Sequence, residues 1–142
     1  MRQGIIMSVK ISCEYLGDLR VQATHGPSGT KLITDAPVDN HGKGASFSPT
    51  DLATTALATC VMTILGIQAR SLEMNFAGMK IEIEKHMTAT APRRIAKLDV
   101  QIQMPKGIPE ELRPRLMRAA DACPVKQSLH PDVEINLVWS WA

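Results

Sequence analysis

The sequence has no run of like charges. Arg93 and Arg94 are its one adjacent basic pair, the other basic residues are dispersed among acids, and 16 Lys+Arg against 14 Asp+Glu leave a formal charge of +2. So small and scattered a charge gives no electrostatic footprint for nucleic acid, and the Arg93-Arg94 pair reads as an exposed hairpin tip. Between Met1 and Lys10 there is neither a long apolar core nor a small-residue cleavage site, so secretion is not expected. Three cysteines are too few for a disulfide framework in 142 residues. Their expected state is the free thiol of a reducing cytoplasm, where any disulfide would be transient and catalytic. The four histidines, His25, His41, His86 and His130, form no close pair at metal-ligand spacing with a cysteine. Turn or surface roles are expected for them, with no metal and no cofactor. There is no internal repeat.

What is present suits one domain over residues 1–142, with 44% hydrophobic residues and enough chain to bury a continuous core. The stretch from Leu52 to Ala69 carries no charge and meets the crude length of a membrane span. Thr54, Thr55, Thr59, Thr63, Gly66 and Gln68 make it too polar for that, and a central helix of a soluble core, not a membrane partner, is expected.

Alternation marks the strands. Val9, Ile11, Cys13 and Tyr15 share one face of a first strand, with Cys13 expected in the core, and Leu19, Val21 and Ala23 share a face of its antiparallel partner. His25-Gly26-Pro27-Ser28-Gly29 turns the chain into a short third strand at Lys31 to Thr34, and Asp35 to Ser46 reads as loop. Ser48-Pro49-Thr50-Asp51 predicts a helix start, with Ser48 capping, Pro49 at the first helical position and Asp51 completing a capping box; the helix should run to about Arg70. Its small residues Ala53, Ala56 and Ala58 permit close approach of other elements.

Two further strands follow, with Met79, Ile81 and Ile83 on one and Ala96, Leu98, Val100, Ile102 and Met104 on the other, joined by a turn at Ala91-Pro92-Arg93-Arg94. A second helix is expected from about Pro109 to Ala122, kinked by Pro114 or started later because of it, bringing Cys123 to the core side. Val133, Ile135, Leu137, Trp139 and Trp141 then alternate in a closing strand with two large aromatics on its buried face. The order is βββ-α-ββ-α-β, an α+β fold.

Cys60 lies about three turns into the central helix, where a free cysteine also serves as a small core hydrophobe. The helix dipole fades within the first turn, so a reactive thiol there needs a nearby cation. Cys123-Pro124-Val125-Lys126 reads either as a fresh helix start, with the sulfur facing free amides and Lys126, or as the end of the preceding helix.

Ser48-Pro49-Thr50-Asp51-Leu52 running into Ala56-Leu57-Ala58-Thr59-Cys60, with Ala122-Cys123-Pro124-Val125 much later, resembles the OsmC/Ohr family of hydroperoxide reductases over nearly the whole chain. The resemblance implies an intertwined homodimer with sites at the subunit interface. It also implies a thiol peroxidase of the oxidative stress response, in which Cys60 attacks an organic hydroperoxide and Cys123 resolves the sulfenic acid as a disulfide. An external dithiol, such as a lipoylated protein, then resets the pair. Family members carry a glutamate directly after the helix-opening proline, where this chain has Thr50; Asp51 is the nearest acid. They also use an N-terminal arginine to stabilise the thiolate, for which Arg20 is the candidate here, with a solvent-facing strand position as its other reading. The catalytic set implied is Cys60, Cys123, Arg20 and Asp51. Retention of the fold as a non-enzymatic binding or interaction module, with the cysteines as core, is the alternative, and thiol-mediated metal binding a third.

Overall fold

A computed structural model describes residues 7–142, so the expectation about secretion rests partly on residues outside those described. The strands and the central helix fall close to where alternation and punctuation place them. The chain forms two compact units, the first ending at Thr50 and the second spanning Asp51–Ala142.

In the first unit β1 (Ile11–Gly17), β2 (Arg20–His25) and β3 (Lys31–Asp35) make an antiparallel meander. The β1–β2 turn needs three residues at positive φ, Gly17 at 91°, Asp18 at 54° and Leu19 at 61°. Glycine meets that demand without strain, and Leu19 is held there by its amide donating to Tyr15 Oη at 3.2 Å. Cys13 pairs with Ala23 and Ala23 with Leu32, so Cys13 does lie on an apolar face. That face is exposed, however, with Ile11 62% and Tyr15 64% accessible, and Cys13 is exposed with them. The expectation of a core cysteine is therefore corrected. Alternation reports which side chains share a face, and says nothing of what covers it.

The second unit builds its core on one sheet of order β4–β5–β6. β4 (Lys80–Met87) pairs antiparallel with β5 (Ile95–Met104), and β5 pairs parallel with β6 (Glu134–Trp141). Leu98, Val100, Ile102 and Met104 point inward from β5, and each is at most 1% exposed. Against them lies the stripe Leu57, Val61, Leu65 and Ala69 of α1 (Pro49–Ser71), spaced one turn apart. α1 is thus a core helix despite being long and apolar enough to cross a membrane. Its opposite side carries a ladder in which Thr55, Thr59 and Thr63 each donate a hydroxyl to the carbonyl one turn back.

The parallel β5–β6 pairing requires a crossover. The crossover is a 3-10 turn at Glu110–Leu112, then α2 (Arg113–Asp121) and α3 (Pro124–Ser128). Pro114 falls in the first turn of α2, where no intrahelical donor is lost, so it sets the start rather than a kink. α2 buries Leu116 and Ala120, and Arg115 Nε donates to Gln68 Oε1 of α1 at 2.8 Å. The short α3 extends the expected element order. Trp139 and Trp141 are half-buried and stacked at 5.2 Å between centroids, with the Arg113 guanidinium 5.1 Å over Trp141. On the outer face of the sheet the Asn136 amide donates to Asp99 at 2.9 Å. That bond, aided by Lys97 and His86, holds the Asp99 carboxyl below its ordinary value and joins β5 to β6.

Because Leu65 is completely enclosed, Leu65→Ala should cost about 2 to 5 kcal/mol. Chemical denaturation with the m-value held constant measures it.

Candidate active site

Two cysteines meet in the second unit. Cys60 sits on α1 at the border of the buried stripe, half-exposed and packed against the core cluster. Cys123 is the residue before α3, in extended conformation with φ −60° and ψ 137°, and is wholly buried. Of its two sequence readings the helix start holds. Pro124 occupies the first turn of α3, and the Lys126 amide donates to Cys123 Sγ at 3.3 Å. The Lys126 ammonium does not serve the sulfur as expected: it bonds Asp121 Oδ1 at 2.9 Å, tying the end of α2 to α3.

Cys60 lies close enough to Cys123 to act on its thiol, and both thiols are free. Burial pushes the Cys123 thiol above its ordinary value; the Lys126 amide opposes this in part, and the Cys60 side chain adds to it. Cys123 is therefore a protonated thiol at neutral pH.

Asp51 takes a different position. At about 100° and 1.5 Å per residue, Asp51 and Cys60 leave α1 on roughly opposite sides, about 13.5 Å apart along its axis. Asp51 Oδ1 accepts from Lys85 Nζ of β4 at 2.7 Å. Lys85 was not singled out from sequence, although a signal was there: it continues the inward face of Ile81 and Ile83, and a lysine on a core-facing position calls for a carboxylate. Its side chain is only 16% exposed. Ser48 Oγ stands 3.2 Å from Thr50 Oγ1 at the helix entrance.

Arg20 belongs to the first unit, at the start of β2, directly across the ladder from Asp35 of β3. Arg20 Nε is 3.9 Å from Asp35 Oδ2. Asp35 was read as the first loop residue, yet it closes β3 and is 1% exposed. Among the described residues no three His, Cys, Asp or Glu side chains are grouped to hold a metal ion.

A cysteine pair on a helix–sheet core, with one thiol half-open and one enclosed, defines a dithiol α+β protein. The OsmC-like protein family matches residues 41–138, and the chain belongs to that family. A Psychrobacter arcticus 273-4 protein, provisionally described as an osmotic-stress-induced and detoxification-response protein, is similar at 39% identity, over 99% of this chain and 100% of its own, with a TM-score of 0.86. An organic hydroperoxide resistance protein OsmC of Legionella pneumophila shares the fold at 16% identity, covering 96% of this chain and 99% of its own, TM-score 0.75. The organic hydroperoxide resistance protein OhrB of Bacillus subtilis does so at 15% identity, 94% and 98% covered, TM-score 0.66. No curated protein matches the chain.

If burial controls Cys123, iodoacetamide should modify it far more slowly in the folded, reduced protein than in guanidinium, and the folded-state rate should keep climbing with pH beyond the ordinary thiol range. Site-resolved mass spectrometry reads both. Equal rates in the two states would show an open thiol.

Proposed function

We propose that this chain is a cytoplasmic thiol peroxidase that reduces organic hydroperoxides to alcohols in the oxidative stress response. The observation that carries the reading is the apposition of Cys60 and Cys123 on rigid elements of one unit, the first half-exposed and the second buried. The unequal exposure supports unequal roles. The Cys60 thiolate attacks the distal oxygen of the hydroperoxide; the O–O bond breaks, the alkoxide takes up a proton and leaves as an alcohol, and Cys60 becomes a sulfenic acid. Cys123 then attacks that sulfur, forming the disulfide and releasing water from the sulfenic hydroxyl and the Cys123 proton. The Cys123 proton must leave for this step, so resolution should accelerate with rising pH. An external dithiol, of the lipoylated-protein kind, reduces the disulfide and closes the cycle. Arg20 is the proposed cation that favours the Cys60 thiolate, and Asp51, paired with Lys85, is the tether of the α1 entrance.

The two units act in this proposal as one domain of a homodimer. Support comes from the first unit, whose face of Ile11, Cys13, Tyr15 and Leu32 is exposed, since a three-stranded sheet needs one covered face to be stable. A second copy of the chain supplies that cover. Sedimentation should then give about twice 15.5 kDa at micromolar concentration; a folded monomer would refute the assembly.

The chemistry is tested by single-turnover consumption of cumene hydroperoxide, followed by mass spectrometry. Cys60→Ser should consume none, because a neutral hydroxyl lacks the nucleophilicity of a thiolate. Cys123→Ser should consume about one equivalent and stall as the sulfenic acid, whereas Cys13→Ser should leave the reaction intact. Normal consumption by Cys60→Ser would sink the mechanism. No consumption by the wild type with dithiol supplied would favour a non-enzymatic binding module, the reading that Thr50 at the family glutamate position supports.

A further inference from the structure

We propose that Asp121 is a positioning residue for Cys123: the bonds it accepts from Lys126 and Gln127 clasp α3 to α2 and hold the Cys123 sulfur in place for closing the disulfide with Cys60. This rests on the resolving role given to Cys123 above. The clasp lies wholly in the second unit, where the two helices join.

The Cys123 side chain is enclosed, yet its chain neighbours Ala122 and Pro124 are both exposed. A buried sulfur thus hangs from a stretch of surface backbone, and the conformation of that backbone decides where the sulfur stands. Sequence settles part of it. A residue before proline is restricted to extended conformations, and Cys123 obeys with φ −60° and ψ 137°. The extended region is broad, so Pro124 narrows the conformation without choosing it. The main-chain bonds to α2 end with the Ala122 and Cys123 amides, which donate to Arg118 O at 3.1 Å and to Ala120 O at 3.2 Å. Beyond Cys123, α3 needs another hold.

Asp121 supplies it twice. Lys126 Nζ donates to Asp121 Oδ1 at 2.9 Å, and Gln127 Nε2 donates to the Asp121 main-chain carbonyl at 2.9 Å; among the described residues these are the hydrogen bonds that cross from α3 back to α2. Asp121 is the last residue of α2, so its carbonyl has no acceptor role inside the helix. Two consecutive residues of one helix therefore grip the end of the other, and Cys123 lies in the ring they close. With α3 so held, the Lys126 amide meets Cys123 Sγ at 3.3 Å. An ion pair whose carboxylate is 60% exposed contributes little to stability. Its effect is on placement. A disulfide forms only at a sulfur separation of about 2 Å and within a narrow range of dihedral angle. A misplacement of about 1 Å can slow a reacting pair about a hundredfold.

The rival account makes the two bonds only a cap for the end of α2. Disulfide closure separates the accounts, and it is followed without hydroperoxide, in the Cys13→Ser background, using the aromatic disulfide of thionitrobenzoate. The Cys60 thiolate attacks the reagent, expels one thionitrobenzoate and keeps the other as a mixed disulfide. Cys123 then loses its proton, attacks the Cys60 sulfur and expels the second. The first release depends on reagent concentration and the second does not, so absorbance resolves them. The variants are Asp121→Ala, Gln127→Ala, the two combined, and Lys126→Arg, which keeps a cation for Asp121.

Relative to the first release, the second should slow about three- to tenfold in the combined variant and less in each single one, while Lys126→Arg stays near wild type. Its pH profile should also move upward, because an unclasped α3 withdraws the amide that favours the Cys123 thiolate. An unchanged ratio of the two releases in the combined variant overturns the proposal, even if the denaturation midpoint falls, as a mere cap requires. Closure in Lys126→Arg as slow as in Asp121→Ala overturns it as well. Should the combined variant fail to fold, Asp121→Ala decides by the same ratio. A wild type that releases only one thionitrobenzoate sinks the clasp together with the pairing of the two thiols. Failure of the peroxidase reading alone is seen separately, in the hydroperoxide assay, and leaves the closure result standing.

Discussion

The packing of one helical stripe on one strand controls the chemistry available to this chain. Leu57, Val61, Leu65 and Ala69 of α1 lock against Leu98, Val100, Ile102 and Met104 of β5, which fixes both the rotation of α1 and its height over the sheet. Cys60 stands just off that stripe, so the same contact that buries its neighbours sets how far its sulfur is open. A rotation of α1 by one position would either enclose the thiol or release it to solvent. The crossover from β5 to β6 must pass over the same core, and it places the α2–α3 junction, with Cys123, where Cys60 can reach it.

Opposing effects act on the second sulfur. Burial favours the thiol form of Cys123, while the Lys126 amide favours the thiolate, and burial is the larger effect. The outcome is compatible with the proposed cycle, in which Cys123 acts second and a thiol that stayed ionised at neutral pH would compete with Cys60 for peroxide. Enclosure also slows the reaction of Cys123 with external thiols and electrophiles.

Much of this architecture was legible in the sequence, because the elements announce themselves by period and punctuation. Pro49 after Ser48 and the uncharged run that follows gave α1 to within a residue, and the alternation from Ala96 to Met104 gave the central strand. Both cysteines of the pair could be placed on their elements for the same reason. What period and punctuation cannot report is the partner of a face or a charge. Cys13 sits on the side the pattern indicates, yet that side is exposed. Lys126 was expected at the Cys123 sulfur, but a long flexible side chain takes the best carboxylate within reach, and that was Asp121. Asp35 looked like an ordinary loop residue because the register that sets it opposite Arg20 depends on the length of a turn, and no local pattern encodes it.

Charge is placed unevenly around the entrance of α1, where Ser48 and Thr50 meet as neutral hydroxyls. Asp51 and Asp35 differ in how their charge is met. Asp51 spends its charge on Lys85, a cation that would otherwise stand nearly enclosed on the inner face of β4, so its removal would first destabilise the seat of α1 on the sheet. Asp35 keeps one oxygen unsatisfied, and a buried carboxylate in that state draws a cation toward itself with little screening from solvent. Asp51 thus has its charge matched by Lys85 within hydrogen-bond distance, whereas Asp35 holds its nearest cation, Arg20, only at 3.9 Å.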